Sequence, residues 1–431
     1  MSIQLKLDTI SNKIRKKIAQ ELVIKPIEDK YNTDQQYIYP YDIIDENIYL
    51  PFYYSTNNLK LSKRPTRDLY KSINVNFSGT LRPSQKEVKK EALQLLNKTG
   101  TCVLALCTGF GKTILSIYLA SKIGLKTLII VKGLVLMKQW RNAIEKICLE
   151  CSVQTLTSKS EIDDQADFYV INAINVPKFT HRQFENIGTV ICDEIHRLCT
   201  QVLSKSYIYL TPRYLIGLSA TPYRFDGMDV LIDLYFGPAR ILRKLYRPHT
   251  VYRVNTEFKP KYETTRNGKP NWNSVLGSQA NSETRNKLIV DIVKFFPQRS
   301  FLILCKRVKQ VKYLKKCLED EKEDVTVLVE NKSDFNVESR VLIGIIQKCG
   351  EGFDHPKLDT LLLAADAEQY YIQYLGRCFR TPEVQPVIFD LVDDFGLLKK
   401  HYNSRRQVYK DAGGTIKNFF RSFPKFPQIK N

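Results

Sequence analysis

The stretch Leu106-Cys107-Thr108-Gly109-Phe110-Gly111-Lys112-Thr113 constrains this chain more than any other. It lies between a short apolar run, Thr101–Leu106, and a segment of helical periodicity over 114–122. A buried strand, a glycine-bearing loop, Lys-Thr and then a helix is the layout of a phosphate-cradling loop. Gly109 and Gly111 let backbone N–H groups turn inward around phosphate oxygens, with Thr108 in the same loop. Lys112 would neutralise the terminal phosphates of a nucleotide, and the Thr113 hydroxyl would sit on Mg²⁺ at the helix N-terminus. Leu106 stands where the usual pattern has its first glycine. A plain strand-to-helix turn is the structural alternative.

A loop of this kind belongs in a parallel sheet flanked by helices, and the chain supplies one. Apolar runs recur at 127–131, 168–171, 189–192 and 214–217, separated by helical segments. A second alternating series follows: a helix over about 282–295, then strands at 300–304, 325–329, 340–343, 360–363 and 386–389. It has no second phosphate loop, so one nucleotide site is expected. A length of 431 residues accommodates both series. The formal net charge of +21, spread along the chain, favours a polyanionic partner, most often nucleic acid. The ten cysteines are scattered, and the one close pair, Cys148 and Cys151, has no second pair to complete a zinc site. Reduced thiols of an intracellular, soluble protein are expected. No apolar run approaches membrane-spanning length, and the first thirty residues lack a secretory core.

Further chemistry falls at the mouths of these strands. The run 189–192 ends in Asp193-Glu194-Ile195-His196. A carboxylate at the end of a buried strand is costly unless it holds a cation, which makes Asp193 a Mg²⁺ partner for Thr113. Glu194 could orient or deprotonate the attacking water. Upstream, Leu81-Arg82-Pro83-Ser84-Gln85 opens a helix, and the Gln85 amide could offer both a donor and an acceptor to an adenine edge, with Arg82 beside it. Arg377 and Arg380, three residues apart on a helical pattern, share one face and could serve as arginine fingers on a γ-phosphate.

The phosphate loop, Asp193-Glu194-Ile195-His196, Ser219-Ala220-Thr221 and Gln373-Tyr374-Leu375-Gly376-Arg377-Cys378-Phe379-Arg380 together resemble a superfamily 2 helicase of the DEAD/H-box type. The string from Leu218 to Gly227, with Arg224 and Asp226, is similar to the branch holding the excision-repair and phage recombination helicases, closest to the poxvirus transcript-release helicase and its relatives in large DNA viruses. The resemblance spans roughly residues 80 to 410. It implies two tandem RecA-like P-loop NTPase domains with ATP and Mg²⁺ between them. It assigns coupling of nucleotide state to strand movement to Ser219 and Thr221, and catalysis to Lys112, Asp193, Glu194, Gln373, Arg377 and Arg380. Gly352 and Asp354, within 350–356, would link the nucleotide to the nucleic-acid track. Gly344 and Ile345 depart from the small and hydroxyl residues usual just upstream.

The domain plan expected is an N-terminal accessory region (1–78), an ATP-binding domain (79–245), a linker or insertion (246–275), a C-terminal helicase domain (276–412) and a basic aromatic tail (413–431). The first region fits a small module, an arm against DNA, or a packing extension on the core. Resemblance implies DNA as partner, 3′-to-5′ movement, a monomer, and a setting in transcription termination, repair or recombination, with transcription or replication machinery nearby. A viral origin would place the protein in the host cytoplasm or virion, and any other origin in cytoplasm or nucleus. An RNA helicase shares every ATPase motif and stays open as the alternative, as does a translocase that does not separate strands. A non-catalytic scaffold would be expected to have lost Lys112, Glu194 or Arg377, and all three are present.

Overall fold

A computed structural model describes residues 1–25, 37–200, 207–221, 227–329, 335–349, 355, 357–367, 371–379 and 383–419, apart from the side chains of 181 and 371–373. The chain divides into two compact units, Met1–Arg243 and Lys244–Asn431.

The first unit is built on a seven-stranded sheet, in the order Arg240–Arg243, Thr101–Leu106, Tyr214–Ser219, Thr189–Asp193, Thr127–Val131, Phe168–Asn172 and Val153–Leu156. Every neighbouring pair is parallel. The central strands are buried along their whole length, which is why they read as unbroken apolar runs and not as alternation. One face carries Leu104, Leu106, Ile129, Ile191 and Leu218 and is covered by the helices Pro83–Thr99, Lys112–Ile123 and Leu134–Ile147.

The opposite face shows what the N-terminal region does. Val103, Leu128, Ile130, Val190 and Leu215 pack in one core with Met1, Ile3, Ile10, Ile18, Leu50 and Phe52. Those residues lie in or beside a small antiparallel sheet, Ser2–Lys6 against Asn47–Pro51 against Asp42–Ile44, and the helix Asn12–Glu21. A parallel sheet needs both faces covered, and residues of this N-terminal segment cover one. Its last part also seals helix ends. Arg64 donates to the carbonyls of Leu96 (2.6 Å) and Asn97 (3.1 Å) in the last turns of Pro83–Thr99. Arg67 donates to Ile123 (2.7 Å) and Gly124 (3.1 Å) at the end of the helix that follows the phosphate loop. Cations on terminal carbonyls satisfy orphan acceptors and oppose the helix dipole. Arg64→Met and Arg67→Met are each expected to cost about 1–2 kcal/mol, a fall in melting temperature of about 2–8 °C. Thermal unfolding of the full chain checks this, and unchanged melting would remove the clamp.

The second unit repeats the design with the order Val325–Leu328, Val341–Ile345, Phe301–Cys305, Thr360–Leu363, Val387–Val392, His249–Asn255 and Gly414–Phe419. All pairs are again parallel. Two boundaries differ from expectation. Residues 246–275, expected as a linker or insertion, hold the strand His249–Asn255 inside the sheet and the start of the helix Trp272–Asn281. Pro248 and Lys259-Pro260 flank that strand and do not interrupt it, since proline is tolerated just outside a strand. The tail read as 413–431 contributes an edge strand, Gly414–Phe419, and its remainder lies outside the described residues. Two parallel-sheet α/β units in tandem are the expected RecA-like layout. Among the described residues no helix is long and apolar enough to cross a membrane.

Candidate active site

Register gathers the first unit's chemistry at one edge. Ser219 pairs with Ala105 and Asp193 with Leu218, so three adjacent strands release their chain at the same level. The loops leaving them are the phosphate loop, the segment at Glu194 and the segment at Ala220. Ligands of open α/β sheets bind at such carboxyl edges.

The loop is held from outside by the start of the preceding helix. Arg82 donates through Nη2 to the carbonyls of Gly109 (3.1 Å) and Phe110, and Gln85 through Nε2 to Phe110 (3.1 Å) and Gly111 (3.3 Å). The Gln85 Oε1 accepts from the backbone N–H of Arg82 at 2.9 Å. Both ends of the Gln85 amide are therefore engaged by the chain, where sequence reading offered them to an adenine. Gly111 takes a left-handed φ of +89°, and a Cβ there would lie 2.5 Å from Gln85 Nε2 and 2.8 Å from Arg82 Nη2. Gly109, at φ +79°, has open space around it. Lys112 begins the helix Lys112–Ile123 and folds its Nζ back to the Leu106 carbonyl at 3.0 Å. Leu106 itself is the buried last residue of its strand, so the side chain replacing glycine points into the core and not into the loop. Thr108 Oγ1 is buried with no hydrogen-bond partner among the described residues. An inward hydroxyl, a helix N-terminus and a cation fit a nucleotide phosphate.

Asp193 ends its strand 7 % exposed, and its Oδ2 accepts from the indole N–H of Trp140 at 2.8 Å. Burial, then the charge of Glu194, raises its carboxyl to about 6, against the opposing pull of Trp140 and Lys112. A buried carboxyl held at this cost, beside Lys112, suits a divalent cation. Glu194 takes φ +53°, a left-handed conformation that a non-glycine residue adopts only under constraint. Its Oε2 lies 3.4 Å from Nδ1 of the buried His196, which lies 2.8 Å from Ser219 Oγ. Ser219 Oγ also accepts from the Thr221 N–H at 3.0 Å. Glu194, His196, Ser219 and Thr221 thus form one polar line between the two strand ends. Thr221 Oγ1 is buried with no hydrogen-bond partner among the described residues.

Two parts of this arrangement are not legible in the sequence. Trp140 was legible only as one apolar position of Met137, Trp140 and Ile144 on the buried face of its helix. His196 has no role legible in the sequence, because its partner lies 23 residues away.

In the second unit, the helix Tyr371–Cys378 carries Gln373 one turn before Arg377, which is half-buried. Tyr374 anchors this helix by donating to the Ile346 carbonyl at 2.9 Å. Gly344 has a steric reason to lack a side chain: a Cβ there would lie 2.1 Å from Cys349 Sγ. Gly352, Asp354, Arg380, Arg224 and Asp226 lie outside the described residues.

A family model described as "Type III restriction enzyme, res subunit" matches residues 78–224. The inferred helicase 161L of Invertebrate iridescent virus 6 is 42% identical across 97% of this chain and 100% of its own length. The chain belongs to the superfamily 2 helicases. A second inferred helicase, from Frog virus 3, is 31% identical across 86% of each chain. An inferred ATP-dependent RNA helicase of Acanthamoeba polyphaga mimivirus is 25% identical across 96% of this chain and 85% of its own. Among solved structures, S. cerevisiae Dbp5 bound to RNA and ADP BeF3 aligns with TM-score 0.56 and 16% identity, covering 78% of this helicase and 94% of Dbp5. The Hef helicase domain of Pyrococcus furiosus aligns with TM-score 0.52 and 13% identity over 76% and 98%. At such identities the two structures share the helicase fold with this chain and nothing finer.

Proposed function

We propose that this helicase is an ATP- and Mg²⁺-dependent DNA motor moving 3′ to 5′, working in transcript release, repair or recombination in the branch of the excision-repair and poxvirus transcript-release helicases. The observation that carries the ATPase reading is the convergence of Lys112, Asp193 and Glu194 at one sheet edge, with the polar line through His196 to Ser219 and Thr221 leading away from it. Lys112 would leave the Leu106 carbonyl for the terminal phosphates, while Thr113 and Asp193 would hold the metal that neutralises phosphate charge. Glu194 would orient the attacking water. Arg82 and Gln85 would pre-shape the loop, and Thr108, Gly109 and Gly111 would line it. Gln373, Arg377 and Arg380 would act on the γ-phosphate, with Gly352 and Asp354 tying it to the nucleic acid. A change at the phosphate would reach Ser219 and Thr221 through Glu194 and His196, which supports their coupling role.

The favourable partner is nucleic acid, given the net charge of +21. RNA is the second reading, favoured by the mimivirus relative, an inferred ATP-dependent RNA helicase. ATP turnover against single-stranded DNA, duplex DNA, forked DNA and RNA separates them. Stimulation by DNA in excess of RNA is expected. Stimulation by RNA alone would overturn the DNA reading, and strand displacement from oppositely tailed duplexes would fix direction.

A further inference from the structure

Residues 364–367 form the turn that leaves the strand Thr360–Leu363, ahead of the helix that carries Gln373 and Arg377. Two buried arginines from other helices grip it. Arg285, on Glu283–Phe295, donates through Nη1 to the Ala364 carbonyl, which also receives Gln310 Nε2 at 3.5 Å. Arg405, on Gly396–Asp411, donates through Nη1 to Asp366 Oδ1 at 2.8 Å and to the Ala367 carbonyl at 3.2 Å. The far side of each guanidinium is pinned to the neighbouring strand and its exit. Arg405 forks onto Asp390 with two bonds of 2.9 Å, and Tyr409 adds a third contact to that carboxylate at 2.8 Å. Arg285 Nε sits 2.9 and 3.2 Å from the two oxygens of Asp393. His401 Nδ1 closes the set at 2.7 Å from Asp366 Oδ2. Asp366, Asp390, Asp393, Arg285 and Arg405 are all at most 4 % exposed.

We propose that Arg285 and Arg405 are positioning residues that fix the turn at 364–367, and through it the placement of Arg377 for ATP hydrolysis. Buried ion pairs are often no more stabilising than apolar residues of similar volume, so burying five charged groups points to a reason other than stability. Planar forks that bridge two strand ends at fixed distance define position in a way that packing alone does not. Ala367 shares a buried core with Tyr374, Leu375 and Cys378 of the helix Tyr371–Cys378, so a shift of the turn reaches that helix through packing. The inference rests on Arg377 acting in the ATPase site.

The test is a cycle on the full chain: wild type, Asp366→Asn, Arg377→Ala and the double variant. The readout is kcat and KM for ATP in nucleic-acid-stimulated turnover, with thermal unfolding as a check of fold. Asp366→Asn keeps side-chain volume and leaves the Arg405–Asp390 fork in place while loosening the turn. It is expected to lower kcat about tenfold with KM for ATP nearly unchanged, and to add no loss in the Arg377→Ala background. The same loss in both backgrounds would overturn the proposal while leaving the role of Arg377 intact, because the turn would then act independently of it. Wild-type kcat in Asp366→Asn, beside an impaired Arg377→Ala, would overturn it as well. Wild-type kcat in Arg377→Ala would show that the reading of Arg377 itself is wrong and take the clamp with it. Should Asp366→Asn fail to fold, Arg405→Lys keeps the charge but cannot span both carboxylates, and it is read by the same criteria.

Discussion

Lys112→Ala is expected to reduce nucleic-acid-stimulated ATP turnover to background, a loss of about a thousandfold or more. Among the described residues the Lys112 side chain makes one hydrogen bond, to the Leu106 carbonyl, at the start of its helix. Losing that bond costs about 1 kcal/mol, too little to unfold a domain with both sheet faces buried. The loop itself is held by Arg82 and Gln85, which the substitution does not touch. The loss should therefore fall on chemistry and not on folding. Nucleic-acid binding should survive and keep its salt dependence, because it comes from the many surface Lys and Arg residues of a chain with net charge +21. Steady-state turnover beside binding at two salt concentrations checks both halves. Undiminished turnover would sink the mechanism.

Glu194→Gln should separate binding from hydrolysis. The variant should bind ATP as wild type does and hydrolyse it about 10²–10⁴ times more slowly. Glutamine bears the same left-handed backbone at φ +53°, so the strain is equal in both proteins and the comparison isolates the charge. Single-turnover hydrolysis beside nucleotide binding reads it. Hydrolysis at the wild-type rate would assign the water to another group. The substitution should also lower the neighbouring Asp193 carboxyl, since the Glu194 charge is one of the two causes that raise it.

The parallel sheets were legible because strands buried on both faces leave unbroken apolar runs, as at Thr127–Val131 and Val387–Val392. Strands at or beside an edge left weaker marks. Arg240–Arg243 and Gly414–Phe419 each have one open side and carry charged or polar residues outward, and His249–Asn255 hides between prolines. The loop, Asp193 and Glu194 could be read because phosphate and metal chemistry demand particular residues at fixed local spacing. Trp140, and the buried arginines 285 and 405, could not: each acts on a partner brought near by the fold, 53 residues away for Trp140 and 108 for the Arg285–Asp393 pair. The use of Gln85 on the loop is likewise a matter of three-dimensional reach, since sequence gives the amide but not the direction it faces.

The proposed role of Arg377 in ATP hydrolysis is the part of the mechanism most open to a decisive experiment. The most direct test is Arg377→Ala in the full chain, with ATP binding and nucleic-acid-stimulated turnover measured side by side. ATP binding within a few-fold of wild type, with turnover lowered about a hundredfold or more, is the predicted result. Wild-type turnover in that variant would contradict it.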